Sequence, residues 1–412
     1  MLHTQTMVID ADAHVLESER TWDYLEPADR KYRPVPITVP ADPAIGRGRR
    51  DAWVIDGKIR GLRFPLLTAE ELAALSAKLG RDMNTQQASR EMGDVDLRIR
   101  HMDALGIHVQ VLHNTVFIES VSDRPEVEVA LCRAWNRWMA DVWKLGQGRL
   151  RWVCVPPLQS IPDAIDEIRF GKAHGAVGVQ IPPFAGNRLM TDPSFYPLFE
   201  EAERLDLPIA SHIANATPWM VDLFRAMYPG SSAVGAAFPV FLVPAVIATQ
   251  ALLISPIREL FPRLRWGIIE ANAQWIPYVL NDVKERYLRR GEEMPQHILS
   301  AKNVYVACQN RDDVPYIISR AGDDCLLIGT DYGHTDTSSD VDAIAQFRQR
   351  TDISEDSKQK IISDNPQRWH WFRLLQINEG SAFKQLFVSR ISAGGRSPLP
   401  TLLKLRQALD GS

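Results

Sequence analysis

The sequence predicts an α/β fold, a (β/α)8 TIM barrel with an insertion after strand 1 and a C-terminal extension. Two observations predict it: eight short runs rich in apolar and β-branched residues recur along the chain, and segments of helical periodicity separate them. This alternation implies parallel strands joined by helical crossovers, and eight strands are what a closed barrel requires. An open, doubly wound sheet is the alternative, but the first run lacks the glycine-rich turn of the nucleotide-binding versions.

The predicted strands are short and each is followed by polar or turn residues. They are Met7–Asp12, Val109–Leu112, Arg151–Val155, Ala176–Ile181, Pro208–Ser211, Arg265–Ile269, Asn303–Ala307 and Cys325–Gly329. The helices between them are predicted from apolar residues spaced three or four apart. They include Val95–Leu105, Glu126–Leu145, Ile161–His174, Tyr196–Leu205, Pro277–Arg290 and Val314–Ala321.

Two intervals between strands exceed the usual connection length: that between the first two strands and that between the fifth and sixth. The first contains Asp56-Gly57 between short apolar segments, a pattern typical of a β-hairpin turn. We expect residues 30–89 to form an insertion that covers the barrel mouth. The barrel domain then spans 1–375, and 376–412 form a C-terminal tail.

Composition and charge exclude several classes of protein. Of 412 residues, 45% are apolar and 24% charged, with 47 basic and 51 acidic residues, so the chain is an ordinary globular protein without the basic surface of a nucleic-acid binder. The cysteines form no CxxC pair and lie in or beside apolar runs, which favours a reduced, cytoplasmic protein. They are Cys132, Cys154, Cys308 and Cys325.

One uncharged stretch, Ala226–Ile257, raises the question of a membrane span. Its apolar part, Pro244–Ile254, is shorter than the roughly 20 residues that a span needs, so a buried helix is predicted. No secretory or transit segment is expected at the start of the chain, because Met7–Ile9 is too short for a signal core. We therefore expect no membrane partner.

Histidines and carboxylates collect at the predicted strand ends, where the reactive groups of such barrels lie. Asp12 and His14 are two residues apart, so their side chains share one face of the first strand. With His212 and Asp331 they would supply two nitrogens and two carboxylates, which suits Zn²⁺, Mn²⁺ or Fe²⁺. Each residue alone is more often a turn, cap or rim residue, and His113, at the end of the second strand, is ambiguous.

Several segments resemble the amidohydrolase superfamily, in particular the branch typified by aminocarboxymuconate semialdehyde decarboxylase. They are Val8–Glu17, Arg100–Leu112, Cys132–Asp141, Val177–Pro182, Phe261–Tyr278 and Leu327–Asp336. The resemblance implies a (β/α)8 barrel with a divalent metal ion at its mouth. It also implies a homo-oligomer, a dimer or higher.

The resemblance assigns roles residue by residue. The family's strand-one His-x-His pair falls on Asp12 and His14, and its strand-five histidine on His212. Its strand-eight aspartate falls on Asp331. The strand-six histidine, a proton-transfer residue in the decarboxylases, falls on Glu270, which can exchange protons or bind metal. Zn or Mn is the expected metal, with Fe as an alternative.

A second ion remains open. A bridging carboxylated lysine is not expected, because Gly178–Pro182 holds no lysine. Glu17, Glu270 and His334 nevertheless lie near the mouth and are candidate ligands, and His334 is also a candidate catalytic residue. Arg60 and Arg63 fall in the insertion, where the resembling decarboxylases place a carboxylate-binding arginine. An exposed loop charge is the alternative for either one.

Three function classes follow. The first is a metal-dependent hydrolase or C–C lyase (non-oxidative decarboxylase) that acts on a small organic carboxylic acid, with Glu270 in proton transfer. The second is a dinuclear Fe or Fe/Mn oxygenase on the same fold. The third is a catalytically silent partner subunit in a hetero-oligomer, which the intact ligand set disfavours.

Overall fold

A computed structural model describes residues 7–40, 50–64, 67–214, 217–227 and 238–370. Its main sheet has eight strands, all paired in parallel. In the spatial order of the sheet they are β1 (Ile9–His14), β5 (Val109–His113), β6 (Leu150–Cys154), β7 (Ala176–Gln180), β10 (Ile209–His212), β11 (Trp266–Ile269), β12 (Val304–Cys308) and β13 (Leu326–Ile328).

The sheet closes between its first and last strands. Ala13 forms a parallel bridge with Tyr332, and the amide of His14 donates to the carbonyl of Tyr332 at 2.8 Å. The amide of Asp331 donates to the carbonyl of Asp12 at 2.8 Å. The predicted (β/α)8 barrel is confirmed, with all eight strands within two residues of their predicted bounds.

Helices connect the strands and pack around the barrel. The 3-10 helices are Glu19–Tyr24, Pro27–Tyr32, Val116–Ile118 and Pro193–Phe195, and the π-helices are Phe238–Leu242 and Lys360–Asp364. The α-helices are Ala69–Leu79, Gln87–Arg90, Val95–Leu105, Pro125–Leu145, Ile161–Ala173, Tyr196–Arg204, Pro218–Met227, Val243–Ile254, Ile257–Leu260, Ile276–Arg289, Ile298–Ala301, Val314–Ala321, Ala343–Gln349, Glu355–Gln359 and Asn365–His370.

The barrel interior is apolar and includes a buried tryptophan from the helix Asn365–His370. The interior cluster takes alternate residues of the strands, such as Val109 and Val111 on β5. Trp369 belongs to this cluster and is fully buried. A Cβ on Gly267 would lie 2.0 Å from the Trp369 ring, so only glycine leaves room for the indole there.

An irregularity in β1 changes which side chains face inward. Ile9 and Ala11 lie in the interior cluster, so unbroken alternation would turn Asp12 and His14 outward. The register of β1 against β5 shifts between Asp10 and Ala13, where one extra residue is accommodated. A one-residue shift exchanges the two faces of a strand, and this brings Asp12 and His14 to the barrel mouth.

The insertion after β1 contains a second, antiparallel sheet. Its strands are β2 (Val35–Val39), β3 (Arg50–Ile55) and β4 (Lys58–Leu62), and a two-strand ribbon elsewhere comprises β8 (Phe184–Ala185) and β9 (Arg188–Leu189). Ile55 pairs with Lys58, which confirms the predicted hairpin turn at Asp56-Gly57. The Phe64 ring stacks on His334 with centroids 4.2 Å apart, so this part of the insertion covers the candidate site.

Other predictions concern the rest of the chain. All four cysteines are buried and unpaired, as expected. The uncharged stretch contains the helix Val243–Ile254, half of whose residues are buried. Among the described residues, no helix combines the length and apolar character needed to cross a bilayer. The tail predicted at 376–412 lies outside the described residues.

Candidate metal centre

Three strand ends and one following loop bring six side chains together at the barrel mouth. Asp12 and His14 come from β1, and His212 is the last residue of β10. Glu270 directly follows β11. Asp331 and His334 lie in the segment after β13. All six residues are buried, with at most 8% of the surface of any of them exposed.

Their nitrogen and oxygen atoms converge in two overlapping groups, Asp12–His14–His212 and His14–Glu270–Asp331–His334. The Nε2 atoms of His14 and His212 are 2.9 Å apart, and Oε2 of Glu270 lies 2.9 Å from Nε2 of His212. Oδ1 of Asp12 lies 3.5 Å and 3.6 Å from the same two nitrogens. Oδ1 of Asp331 lies 3.5 Å from Nε2 of His14.

The backbone sets the tautomers of the two facing imidazoles. Nδ1 of His14 lies 2.8 Å from the carbonyl of Asn114, and Nδ1 of His212 lies 2.9 Å from the carbonyl of Ile213. A carbonyl only accepts, so each Nδ1 carries a proton and donates it. The two Nε2 lone pairs then face each other, an arrangement that needs either a shared proton or a bound cation between them.

The carboxylates each present one unused oxygen to the same point. Among the described residues, Oδ1 of Asp12, Oε2 of Glu270 and Oδ1 of Asp331 are buried without a hydrogen-bond partner. The other oxygens of Glu270 and Asp331 accept the Ser338 and Ser339 hydroxyls, both at 2.7 Å. Orphaned buried carboxylate oxygens are costly unless a cation compensates them.

These observations fit a divalent metal ion. Ligand atoms held about 2.0–2.2 Å from one ion lie roughly 3 to 3.5 Å apart, and the distances among these atoms run from 2.9 to 3.7 Å. The donors are imidazole and carboxylate, the set preferred by Zn²⁺, Mn²⁺ and Fe²⁺. His14 has one free lone pair and can bind only one ion. It can therefore act either with Asp12 and His212 or with Glu270, Asp331 and His334.

Two of the carboxylates sit on strained backbone. Glu270 has φ +62° and Asp331 has φ +50°, in the left-handed region that non-glycine residues seldom adopt. Such strain costs of the order of 1–3 kcal/mol per residue and concentrates at functional sites. Here it turns each side chain back over the end of its strand, toward the two facing imidazoles.

Burial and mutual repulsion set the ionisation of the cluster. Burial raises the pKa of Glu270 to about 7 and that of Asp331 well above its usual range. Burial also holds the pKa of His334 well below its usual range. For His212 burial acts downward, but the carboxylates of Asp12 and Glu270 outweigh it and raise the pKa to about 10. An imidazolium at His212 thus offsets the carboxylate charge when no metal is bound.

The structure does not bring Glu17, an expected metal ligand, into this cluster. Its Oε1 accepts the Thr115 amide at 3.1 Å and the Trp135 indole N–H at 2.8 Å. Its Oε2 accepts the Val116 amide at 3.0 Å. Both oxygens are therefore engaged by N–H donors, and Glu17 lies outside the two groups of converging ligand atoms.

The ambiguous residues fall in different places. His113 is buried beside the cluster, its ring centroid 5.2 Å from that of His212, and its Nε2 lies 3.3 Å from the Ala11 carbonyl. Arg60 pairs with Asp123 at 3.0 Å, away from the cluster. Arg63 lies over the Trp53 ring at 5.1 Å. Neither arginine contacts a candidate ligand.

The sequence did not point to the residues that orient the ligands. Ser338 and Ser339 hold Glu270 and Asp331, and Asn114 holds His14 through its backbone carbonyl. Asn114 directly follows β5, but Ser338 and Ser339 lie about ten residues after the end of β13, so position alone indicates only the first. Main-chain and hydroxyl contacts of this kind have no sequence motif.

The fold and the site together define a class: a (β/α)8 barrel enzyme whose strand ends carry a buried cluster of histidines and carboxylates that could hold a divalent metal ion. A family model described as amidohydrolase matches residues 9–370, so the chain belongs to the amidohydrolase family. The resemblance drawn from the sequence is thereby confirmed.

Individual relatives are distant in sequence. The chain is 20% identical over 293 residues to a 2-amino-3-carboxymuconate-6-semialdehyde decarboxylase of Dictyostelium discoideum, an alignment that covers 66% of this chain and 75% of that one. An amidohydrolase structure from Mycobacterium avium subsp. paratuberculosis matches with TM-score 0.69 and 18% identity, over 90% of this chain and 99% of that one.

Two solved decarboxylases share the fold. The 5-carboxyvanillate decarboxylase of Novosphingobium aromaticivorans, complexed with manganese and 4-hydroxy-3-methoxy-5-nitrobenzoic acid, matches with TM-score 0.61 and 17% identity, over 90% of this chain and 97% of that one. The 2,6-dihydroxybenzoate decarboxylase of Rhizobium matches with TM-score 0.60 and 18% identity, over 89% and 99%.

Proposed function

We propose that this protein is a divalent-metal-dependent C–C lyase that removes CO₂ from a small organic carboxylic acid without oxidation. One observation carries the proposal: buried carboxylate oxygens of Asp12, Glu270 and Asp331 lie beside the facing nitrogens of His14 and His212 and, among the described residues, have no hydrogen-bond partner. Membership of a family with decarboxylase relatives supports this reaction class, although a hydrolase would use the same donor set.

Asp12, His14, His212 and Asp331 are the residues that would hold the ion, and Nδ1 of His334, 2.9 Å from Oδ1 of Asp331, is a further candidate donor. When bound, a divalent ion supplies Lewis-acid polarisation of a substrate oxygen or lowers the pKa of a water molecule. Asn114 and Ile213 fix the imidazole rings through their carbonyls, which removes the cost of orienting these rings on binding. Zn²⁺ or Mn²⁺ suits this mixed set best, and Fe²⁺ is the alternative.

Glu270 is the proposed proton-transfer group. Loss of CO₂ leaves an electron pair on carbon, and a proton must be delivered there to complete the reaction. A carboxyl with a pKa of about 7 is partly protonated at neutral pH, which suits it to give and take protons. The Ser338 hydroxyl binds Oε1 and leaves Oε2 directed at the cluster. The alternative role for Glu270 is to orient a ligand histidine or to bind the metal ion itself.

The proposal is tested by metal analysis followed by a substrate screen. The protein is purified without chelator, its metal content is measured, and CO₂ release is assayed with a panel of aromatic and unsaturated carboxylic acids. About one Zn or Mn per chain with CO₂ release supports the proposal. Absence of metal, or a metal-loaded protein that hydrolyses esters or amides and releases no CO₂, contradicts it.

A second candidate function is a dinuclear Fe or Fe/Mn oxygenase. The observation that favours it is the presence of two overlapping ligand groups, since Glu270, Asp331 and His334 remain for a second ion when His14 binds with Asp12 and His212. Two metals per chain including Fe, together with oxygen consumption in the presence of substrate, would support this function over decarboxylation.

A further inference from the structure

We infer that Thr115 and Glu17 are positioning residues that hold His334 in the tautomer whose Nδ1 is unprotonated and available as a ligand. This inference deepens the proposed function and rests on the cluster being a metal site. It gives a role to Glu17, which the mechanism above does not use. It also predicts which nitrogen of His334 carries the proton.

The Thr115 hydroxyl determines where that proton lies. Oγ1 of Thr115 is 2.9 Å from the carbonyl of Val15 and 2.8 Å from Nε2 of His334, and the contacts are buried. A threonine hydroxyl has one proton, and the carbonyl can only accept it. Oγ1 must then accept from His334, so Nε2 carries the imidazole proton and Nδ1 has a free lone pair.

That free nitrogen faces the second ligand set. Nδ1 of His334 lies 2.9 Å from Oδ1 of Asp331, and among the described residues neither atom has a hydrogen-bond donor. If Nδ1 were protonated it would donate to Asp331 and occupy a carboxylate oxygen of the cluster. With Nε2 protonated, both atoms remain available to one cation. The Thr115 contact therefore decides whether His334 and Asp331 pair with each other or bind together.

Packing fixes the His334 ring and leaves the tautomer as the remaining variable. The imidazole lies between two other rings, with His14 at 3.7 Å on one face and Phe64 at 4.2 Å on the other. The interplanar angles are 26° and 20°, so both neighbours are stacked. A ring enclosed in this way cannot turn over to exchange its nitrogens without displacing one of the two stacked rings.

Glu17 holds the segment that carries Thr115. Its two oxygens accept the amides of Thr115 and Val116, and Oε1 also accepts the Trp135 indole at 2.8 Å. Successive amides bound to one carboxylate fix the turn that starts the 3-10 helix Val116–Ile118. These contacts hold the Thr115 hydroxyl in place, 2.8 Å from Nε2 of His334.

The test compares Thr115→Val, Thr115→Ser and Glu17→Gln with the wild-type chain. The control is Thr249→Val, because Thr249 is also fully buried but donates within its own helix, to the Ala245 carbonyl at 2.8 Å. The first readout is ¹⁵N NMR of histidine-labelled, metal-free protein, assigned with His334→Gln. It distinguishes a protonated Nε2 from a protonated Nδ1. The second is the dissociation constant for Mn²⁺, measured by calorimetry.

We expect a protonated Nε2 at His334 in the wild-type chain, in Thr115→Ser and in Thr249→Val. In Thr115→Val the acceptor is gone, so the proton should move to Nδ1, and Mn²⁺ affinity should fall about 10- to 100-fold, as for other groups that orient a ligand. In Glu17→Gln the side-chain NH₂ would face a backbone N–H of Thr115 or Val116, which would loosen the turn that carries Thr115. The ¹⁵N signals of His334 should therefore move toward the Nδ1-protonated form, but by less than in Thr115→Val.

The outcomes separate this inference from the proposed function. A protonated Nδ1 in the wild-type chain overturns the inference whatever the metal content. The same holds if Thr115→Val binds Mn²⁺ as tightly as wild type while His334→Ala does not, or if Thr115→Ser fails to restore affinity. A wild-type chain that binds no metal but shows a protonated Nε2 contradicts the proposed function and leaves the tautomer assignment standing.

Discussion

Replacement of His212 by alanine should abolish the stabilisation that a divalent ion gives to the fold. His212 supplies one of the two nitrogens that face each other at 2.9 Å, and it also contacts Oε2 of Glu270 at 2.9 Å. An ion that binds only the folded chain stabilises it by RT ln(1 + [M]/Kd), or about 2.7 kcal/mol at a hundredfold excess over Kd. Without His212 the set loses a ligand, and this increment should vanish.

The increment translates into a measurable shift in Tm. Unfolding entropy near Tm is about 2.1 cal/mol/K per residue, so a barrel of about 360 residues has a value near 0.76 kcal/mol/K. An increment of 2.7 kcal/mol therefore corresponds to about 3.5 °C. We expect wild type to gain about 3 to 4 °C on addition of Mn²⁺ after chelator treatment, and His212→Ala to gain less than about 1 °C.

The assay is differential scanning calorimetry of chelator-treated protein with and without Mn²⁺, at protein concentrations matched across variants. His174→Ala serves as the control, because His174 ends a helix away from the barrel mouth and bonds to the carbonyl of Phe170. It should show the full wild-type shift. An equal Mn²⁺-induced shift in His212→Ala and wild type would refute the assignment of His212 as a ligand.

Three further predictions concern activity, packing and pH. Glu270→Gln should lower turnover about 10²- to 10⁴-fold while one bound ion remains, measured by CO₂ release and metal analysis. Gly329→Ala should cost about 1–3 kcal/mol in urea unfolding and weaken metal binding, because its Cβ would lie 2.2 Å from Cβ of Asp12. Arg204 lowers the pKa of Glu201 to about 2, so this contact stabilises the fold above about pH 4.3. The stabilisation should fade as pH drops toward 2, and the difference between wild type and Glu201→Gln in urea midpoint should shrink with it.

Each of these has a result that counts against it. Full turnover in Glu270→Gln would remove its proton-transfer role. For the packing prediction Gly178→Ala is the matched control, since its nearest contact would be 3.4 Å, and equal losses in both variants would contradict the explanation by contact with Asp12. A stability difference for Glu201→Gln that grows toward low pH would have the wrong sign for a carboxyl whose pKa is lowered.

Local signals explain why the barrel elements were predictable. The helices Val95–Leu105 and Val314–Ala321 have the bounds predicted for them. Both start after an aspartate that accepts an amide three residues on, and both end at a glycine with positive φ. The first strand was placed two residues too early, because Ala13 and His14 are strand residues only through pairing with distant segments.

The candidate site was predictable as far as strand ends identify it. Asp12, His14, His212 and Asp331 meet because parallel strands end at one edge of the barrel. Glu17 did not follow this rule, since its partners include Trp135, on a helix far along the chain. The separation of a ligand from a residue that supports one depends on contacts that no spacing pattern records.

Because the register of β1 is irregular, one strand contributes side chains both to the barrel core and to the candidate metal site. Ile9 and Ala11 belong to the barrel interior, whereas Asp12 and His14 belong to the candidate metal centre, and the register shift lies between Asp10 and Ala13. Substitutions in the first pair should therefore change thermal stability with little effect on metal preference, and substitutions in the second pair the reverse. A chain built in this way can exchange one metal or reaction for another without rebuilding its core.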